Sequence, residues 1–117
     1  MAIQILLDDN RPKPGQTLKG SVIWSFESTP SKLALQLLWQ TSGKGTEDSE
    51  TIHSEDWEPN ANTGSKTFEI PLPRGPISVR GKLISIGWQI ECLSKRPQAN
   101  CVLPFVLSHQ DSLVRLF

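Results

Sequence analysis

From Leu33 to Gln40 the chain reads Leu-Ala-Leu-Gln-Leu-Leu-Trp-Gln, so that Leu33, Leu35, Leu37 and Trp39 alternate with Ala34, Gln36 and Gln40. A period of two sends alternate side chains to opposite faces of an extended strand, and a chain that repeats it builds half-buried sheets. The pattern does recur. Ile3, Ile5 and Leu7 share one parity; so do Leu18, Val22, Trp24 and Phe26, with Gly20 among them. Ile84, Ile86, Trp88, Ile90 and Cys92 alternate with Ser85, Gln89 and Glu91. Poorer runs cover Glu50 to Trp57, where Ile52 and Trp57 are the large apolar residues, then Lys66 to Leu72 and Cys101 to Leu107. No segment sustains a helical period, and the nine prolines and eight glycines fall mostly between the runs. About seven short strands separated by turns predict an all-β fold, an immunoglobulin-like antiparallel β-sandwich of two sheets.

A chain of 117 residues buries roughly two-thirds of its unfolded surface, enough for a core without metals or disulfide staples. Residues 1–117 are therefore expected to form a single domain. The start, Met-Ala-Ile-Gln-Ile-Leu-Leu-Asp-Asp, has neither a basic segment nor a long apolar stretch, and no run approaches a membrane span. A cytoplasmic location is the resulting expectation. Twelve bases balance twelve acids, whereas a nucleic-acid partner leaves a basic excess as its footprint. The balance is uneven along the chain. Glu47, Asp48, Glu50, Glu55, Asp56 and Glu58 fall in a stretch without Lys or Arg. Such a flank is either a solvated strand face or a docking surface for a basic partner.

Gly43-Lys-Gly-Thr46 has a superficial likeness to a phosphate-binding loop. That loop needs a glycine five positions before its Gly-Lys pair and a Ser or Thr right after the lysine. Leu38 and Gly45 hold those places, and no helix is expected to follow. The segment reads instead as a hairpin tip in which Gly43 and Gly45 supply positive φ and Lys44 and Thr46 face solvent.

Catalytic and metal chemistry find little support. His53 lies on the fourth run and His109 just after the seventh, and nothing in the sequence brings either near a thiol. His53 and Glu55 share a strand face, but two ligands fall short of the three or four a zinc site uses. No catalytic residue, metal or cofactor is expected. Cys92 and Cys101 are placed symmetrically about a turn at Arg96 and Pro97, so a simple hairpin sets them opposite each other on the core face. Two buried thiols packing as small apolar groups is the expected state, with a redox switch as the alternative. Trp24, Trp39 and Trp88 fall on the apolar parity. Trp57, among Glu55, Asp56 and Glu58, is the one candidate for an exposed indole and carries the alternative function, a small-ligand or carbohydrate-binding module. The tail, Ser112 to Phe117, has the pattern of a segment folding back over a sheet edge, or of a peptide presented to another subunit.

Three ordered blocks resemble the amino-terminal half of the arrestin fold. Pro14-Gly-Gln-Thr-Leu-Lys-Gly-Ser-Val22 is similar to the family's Pro-Gly-Glu-x-hydrophobic-x-Gly-x-Val, with Gln16 in place of the acid. Phe68-Glu-Ile-Pro-Leu-Pro-Arg-Gly-Pro-Ile-Ser78 is similar to its Phe-x-Phe-x-Leu-Pro followed by Pro-x-Ser, and Gly81 to Cys92 to the strand after it. Eukaryotic arrestins carry two such sandwiches, and this chain has length for one. Ile3 to Leu7 offers no Lys or Arg, so the paired first-strand bases that sense phosphorylated receptors have no counterpart. The resemblance implies an arrestin-like fold and a non-enzymatic scaffold or adaptor that binds another protein through loop tips, a sheet edge or the acidic flank. It also implies that the loop after the third long strand reaches toward partners. The candidate partner-binding residues are Ser42, Gly43, Lys44, Gly45, Thr46, Glu47 and Asp48 in the loop, and Glu50, Glu55, Asp56, Trp57 and Glu58 in the flank. Homodimerisation by edge-strand pairing is a further option.

Overall fold

The computed structural model describes residues 2–43, 48–81, 84–108 and 114–116. Strands β1 (Ala2–Leu7), β2 (Thr17–Ser25), β3 (Leu33–Gly43), β4 (Ser49–Trp57), β5 (Thr63–Pro71), β6 (Val79–Gly81), β7 (Ile84–Lys95), β8 (Gln98–Phe105) and β9 (Val114–Leu116) follow one another along the chain. Among the described residues there is no helix long and apolar enough to cross a membrane. The seven longer strands answer to the seven alternating runs; β6 and β9, three residues each, are too short to show a period.

Two sheets form. β1-β2-β5 make a three-stranded antiparallel sheet, and β4, β3, β7, β6 and β9 lie in that order in a six-stranded sheet whose remaining strand, β8, pairs with β7. β7 is long enough to serve two neighbours on its far edge. Its start pairs with β6 through Val79↔Ile86, and its end with β8 through Trp88↔Phe105 to Lys95↔Gln98. β9 then runs parallel to β6, so the tail does fold back over a sheet edge. Hydrogen bonds from Val106 N to the Asn10 carbonyl (3.1 Å) and from Leu107 N to Ser78 Oγ (2.9 Å) tie the segment after β8 to the loops before β2 and β6.

The apolar parities meet between the sheets. Ile3, Ile5, Leu18, Val22, Trp24, Phe68 and Ile70 from one layer pack with Leu33, Leu35, Leu37, Trp88, Ile90 and Cys92 from the other. Phe26 joins them from just beyond β2. The indoles reach polar partners as buried indoles generally do: Trp88 Nε1 donates to the Pro76 carbonyl at 2.6 Å and Trp24 Nε1 to the Ala61 carbonyl at 3.2 Å. Trp39 is only half-buried against this core, whereas Leu38, of the opposite parity, is buried.

Two glycines in the motif from Pro14 to Val22 have specific reasons to be there. Gly15 has φ of 82°, a left-handed conformation that costs other residues strain. Gly20 lies so close to the Leu6 carbonyl oxygen and the Phe68 ring that a Cβ would collide with both. Gly43 departs from expectation. It has no positive φ and instead continues β3 in extended pairing with Ile84.

Candidate functional site

The candidate site is the β3–β4 hairpin and the acidic strand that returns from it. β3 starts in the core with Leu33, Leu35 and Leu37, and burial fades beyond Trp39: Thr41 is half-buried, and Ser42 and Gly43 are exposed. The return is exposed at Asp48, Ser49, Glu50 and Thr51. Two backbone-anchored contacts close the described part of the hairpin: Thr41 N donates to the Asp48 carbonyl at 2.7 Å, and Asp48 N donates to Thr41 Oγ1 at 3.0 Å. β7 braces β3 along its length, with register running from Leu33↔Ser94 to Gly43↔Ile84. Ser42, Gly43 and Asp48 thus end a supported two-strand arm. Lys44, Gly45, Thr46 and Glu47 lie outside the described residues.

The flank does not present its acids on one face. Leu37 pairs with His53 and Leu38 with Thr51, so β4 carries an extra residue at Ile52, a bulge that resets its alternation. Opposed residues on neighbouring strands point to the same side of a sheet. Trp57, Glu55 and His53, opposite Leu33, Leu35 and Leu37, therefore occupy the core-facing side of an edge strand. Asp56, opposite Ala34, faces outward. His53 Nε2 is 3.8 Å from Glu55 Oε2 on the inner side, and Lys32 Nζ is 3.4 Å from Asp56 Oδ2 on the outer side. The outer pair is well exposed and the inner one half-exposed, and contacts so open to solvent add little stability. Glu50 and Glu58 are exposed at opposite ends of the strand.

Trp57 is half-buried rather than exposed. Its ring packs 6.1 Å from that of Trp24, its Nε1 is buried without a partner among the described residues, and Lys66 Nζ lies over it at 5.2 Å from the centroid. A ring engaged in this way offers little open face for a sugar to stack upon. The bulge and the lysine contact arise from pairing and packing between strands, which the order of residues along a single strand does not reveal.

Among the described residues no group of three or more His, Cys, Asp or Glu is placed to hold a metal ion, and Cys92 and Cys101 are free thiols. The shallow hollows include one of about 380 Å³ on the outer face of the larger sheet, where Lys32, Asp56 and Lys95 border Ala34 and Leu93. The ion pair between Lys32 and Asp56 lies on its rim.

No family model and no curated protein matches the sequence. Among solved structures, the chain is similar to Spo0M, a sporulation control protein from Bacillus subtilis, with a TM-score of 0.68 and 17% identity. The match covers 93% of this chain and 49% of that one, so the chain spans about half the length of that protein. At such identity the likeness is one of fold, an antiparallel two-sheet β-sandwich.

Proposed function

We propose that the chain is a non-enzymatic, arrestin-like adaptor that docks on a basic protein surface through the tip of the β3–β4 hairpin and its acidic return strand. The observation that carries this reading is the division of labour along β3. Leu33 to Leu37 close the core, while Ser42, Gly43, Asp48, Ser49, Glu50 and Thr51 are exposed and take no part in it. An arm braced by β7 holds Asp48 and Glu50 exposed to solvent at little ordering cost, which favours recognition by preorganisation. Acids with long-range reach also suit electrostatic steering of a basic partner.

The arrestin assignment draws support from the roles found for the motif residues: Gly15 at the turn, Gly20 against Phe68, and Phe68, Ile70 and Leu72 buried in sequence. The fold likeness to a sporulation control protein is compatible with a regulatory binding role. Strand addition is disfavoured at two of the outer strands, β4 and β5, which carry features that discourage pairing. β4 has its bulge and inward Glu55, and β5 has Lys66 opposite Val22 on the inward parity.

Affinity capture from the source cell, comparing the native chain with Asp48→Lys/Glu50→Lys, tests the proposal. Loss of the captured partner, together with weakening of native binding as salt rises, is the expected result. Undiminished recovery by the charge-reversed chain would remove the hairpin from the account.

A further inference from the structure

Cys92 and Cys101 stand directly opposite each other across β7 and β8. The connection between these strands is the two-residue loop Arg96-Pro97, closed by the pair Lys95↔Gln98. In an antiparallel hairpin with a two-residue loop the closing pair is hydrogen-bonded, and pairs then alternate between hydrogen-bonded and non-hydrogen-bonded. Ser94↔Ala99, Leu93↔Asn100 and Cys92↔Cys101 follow, which makes the cysteines a non-hydrogen-bonded pair. Such pairs have Cα atoms about 4.5 Å apart, inside the span of roughly 4.4–6.8 Å that a disulfide bridges. Both side chains point into the sandwich: Cys92 is fully buried, and Cys101 is half-buried against the same core.

We propose that Cys92 and Cys101 are a reactive dithiol that closes into a cross-strand disulfide by exchange with a low-molecular-weight disulfide. Cys101, the member with access to solvent, attacks first as its thiolate. The S–S bond of the small disulfide breaks, one small thiolate leaves and takes up a proton, and a mixed disulfide forms on Cys101. Cys92 then gives up its proton and attacks Sγ of Cys101, which expels the second small thiol. Two protein thiols are oxidised to one disulfide, and one small disulfide is reduced to two small thiols that carry the two hydrogens.

The order of attack follows from burial. Desolvation, with a smaller contribution from Cys101, pushes the Cys92 thiol up to about 12, so Cys92 is almost wholly protonated near neutrality and makes a poor first nucleophile. It becomes effective only against a sulfur held beside it. Closure therefore quickens with pH, and the bond it forms clamps β8 to β7 where β7 already bridges two neighbours.

The test treats the folded, full chain with oxidised glutathione, alkylates remaining thiols after denaturation, and maps tryptic peptides. Cleavage after Lys82 and Lys95 puts Cys92 in the peptide Leu83 to Lys95, and Cys101 in the one that starts at Arg96. The proposal expects these peptides to be recovered joined, with no intermolecular disulfide. It expects closure of preformed mixed disulfide to speed up about tenfold per pH unit near neutrality. Cys92→Ala should arrest the reaction at the Cys101 mixed disulfide. Recovery of both cysteines alkylated, a lasting glutathione adduct on Cys101 of the native chain, or covalent dimers would each overturn it. The native peptide map decides the matter even where Cys92→Ala fails to fold.

Discussion

Lys66 on β5 reaches across the side of the sandwich to Trp57 on β4, its Nζ 5.2 Å from the ring centroid. Trp57 in turn tilts at 56° against Trp24. One contact therefore joins the outer strands of the two sheets, where no backbone hydrogen bonds link β4 to β5. A cation over an exposed or half-exposed indole is worth about 0.5–1 kcal/mol. A double-mutant cycle with Lys66→Ala and Trp57→Leu, read by chemical denaturation, should give a coupling of about that size. Strict additivity would show the contact to be idle.

Lys66 and Glu55 also hold inward positions on outer strands, opposite Val22 and Leu35. Charges in such places discourage another strand from adding to the edge. Lys66→Val with Glu55→Val should raise self-association at a given concentration, which light scattering measures directly. A chain that stays as dispersed as the native one would deny these residues that role.

Gly20 and Gly87 make opposite predictions for the same substitution. A Cβ at Gly20 meets the Leu6 carbonyl oxygen and lies 2.8 Å from Phe68 Cζ, whereas one at Gly87 meets nothing within 4 Å. Because a strand carbonyl cannot swing aside as a side chain does, Gly20→Ala should cost roughly 3 kcal/mol. Gly87→Ala should stay within about 0.5 kcal/mol of the native chain. Thermal unfolding of the two variants side by side checks the contrast.

Cys92 gives the stability a defined pH dependence. Its thiol is raised from 9.0 to about 12 in the fold, chiefly by burial. The unfolded chain thus loses this proton first, and stability is complete below pH 9.0 and falls as pH rises toward about 12. Relative to Cys92→Ala, under reducing conditions, the native chain should lose up to about 1.4 kcal/mol per pH unit across that interval. Parallel profiles for the two chains would contradict the assignment.

The sandwich was legible where alternation is strong. β1, β2, β3 and β7 bury most of the residues their parity predicts, with Leu7, Trp39 and Ile86 only half-buried, and the spacing about Arg96-Pro97 correctly set Cys92 opposite Cys101. Weaker signals hid the rest. β5 begins at Thr63, before the apolar residues start, because pairing with β2 extends to Ser25↔Thr63 and backbone partners need no apolar pattern. β6 exists because β7 is long enough to offer it an edge. At the candidate site the exposed arm followed from its polar tip. The division of the acids between two faces did not, since it depends on one extra residue at Ile52 that pairing with β3 alone reveals. The half-burial of Trp57 was masked by its acidic sequence neighbours, of which Asp56 points to the opposite face and Glu55 shares the inner side of the edge strand.

The docking surface can be located by incorporating a photo-crosslinking amino acid singly at Ser49, at Glu50, and at Thr67 on the outer face of the smaller sheet, then irradiating in the source cell. The account predicts one partner joined through Ser49 and Glu50, with no product from Thr67. Capture through Thr67 with silence at Ser49 and Glu50 would contradict it.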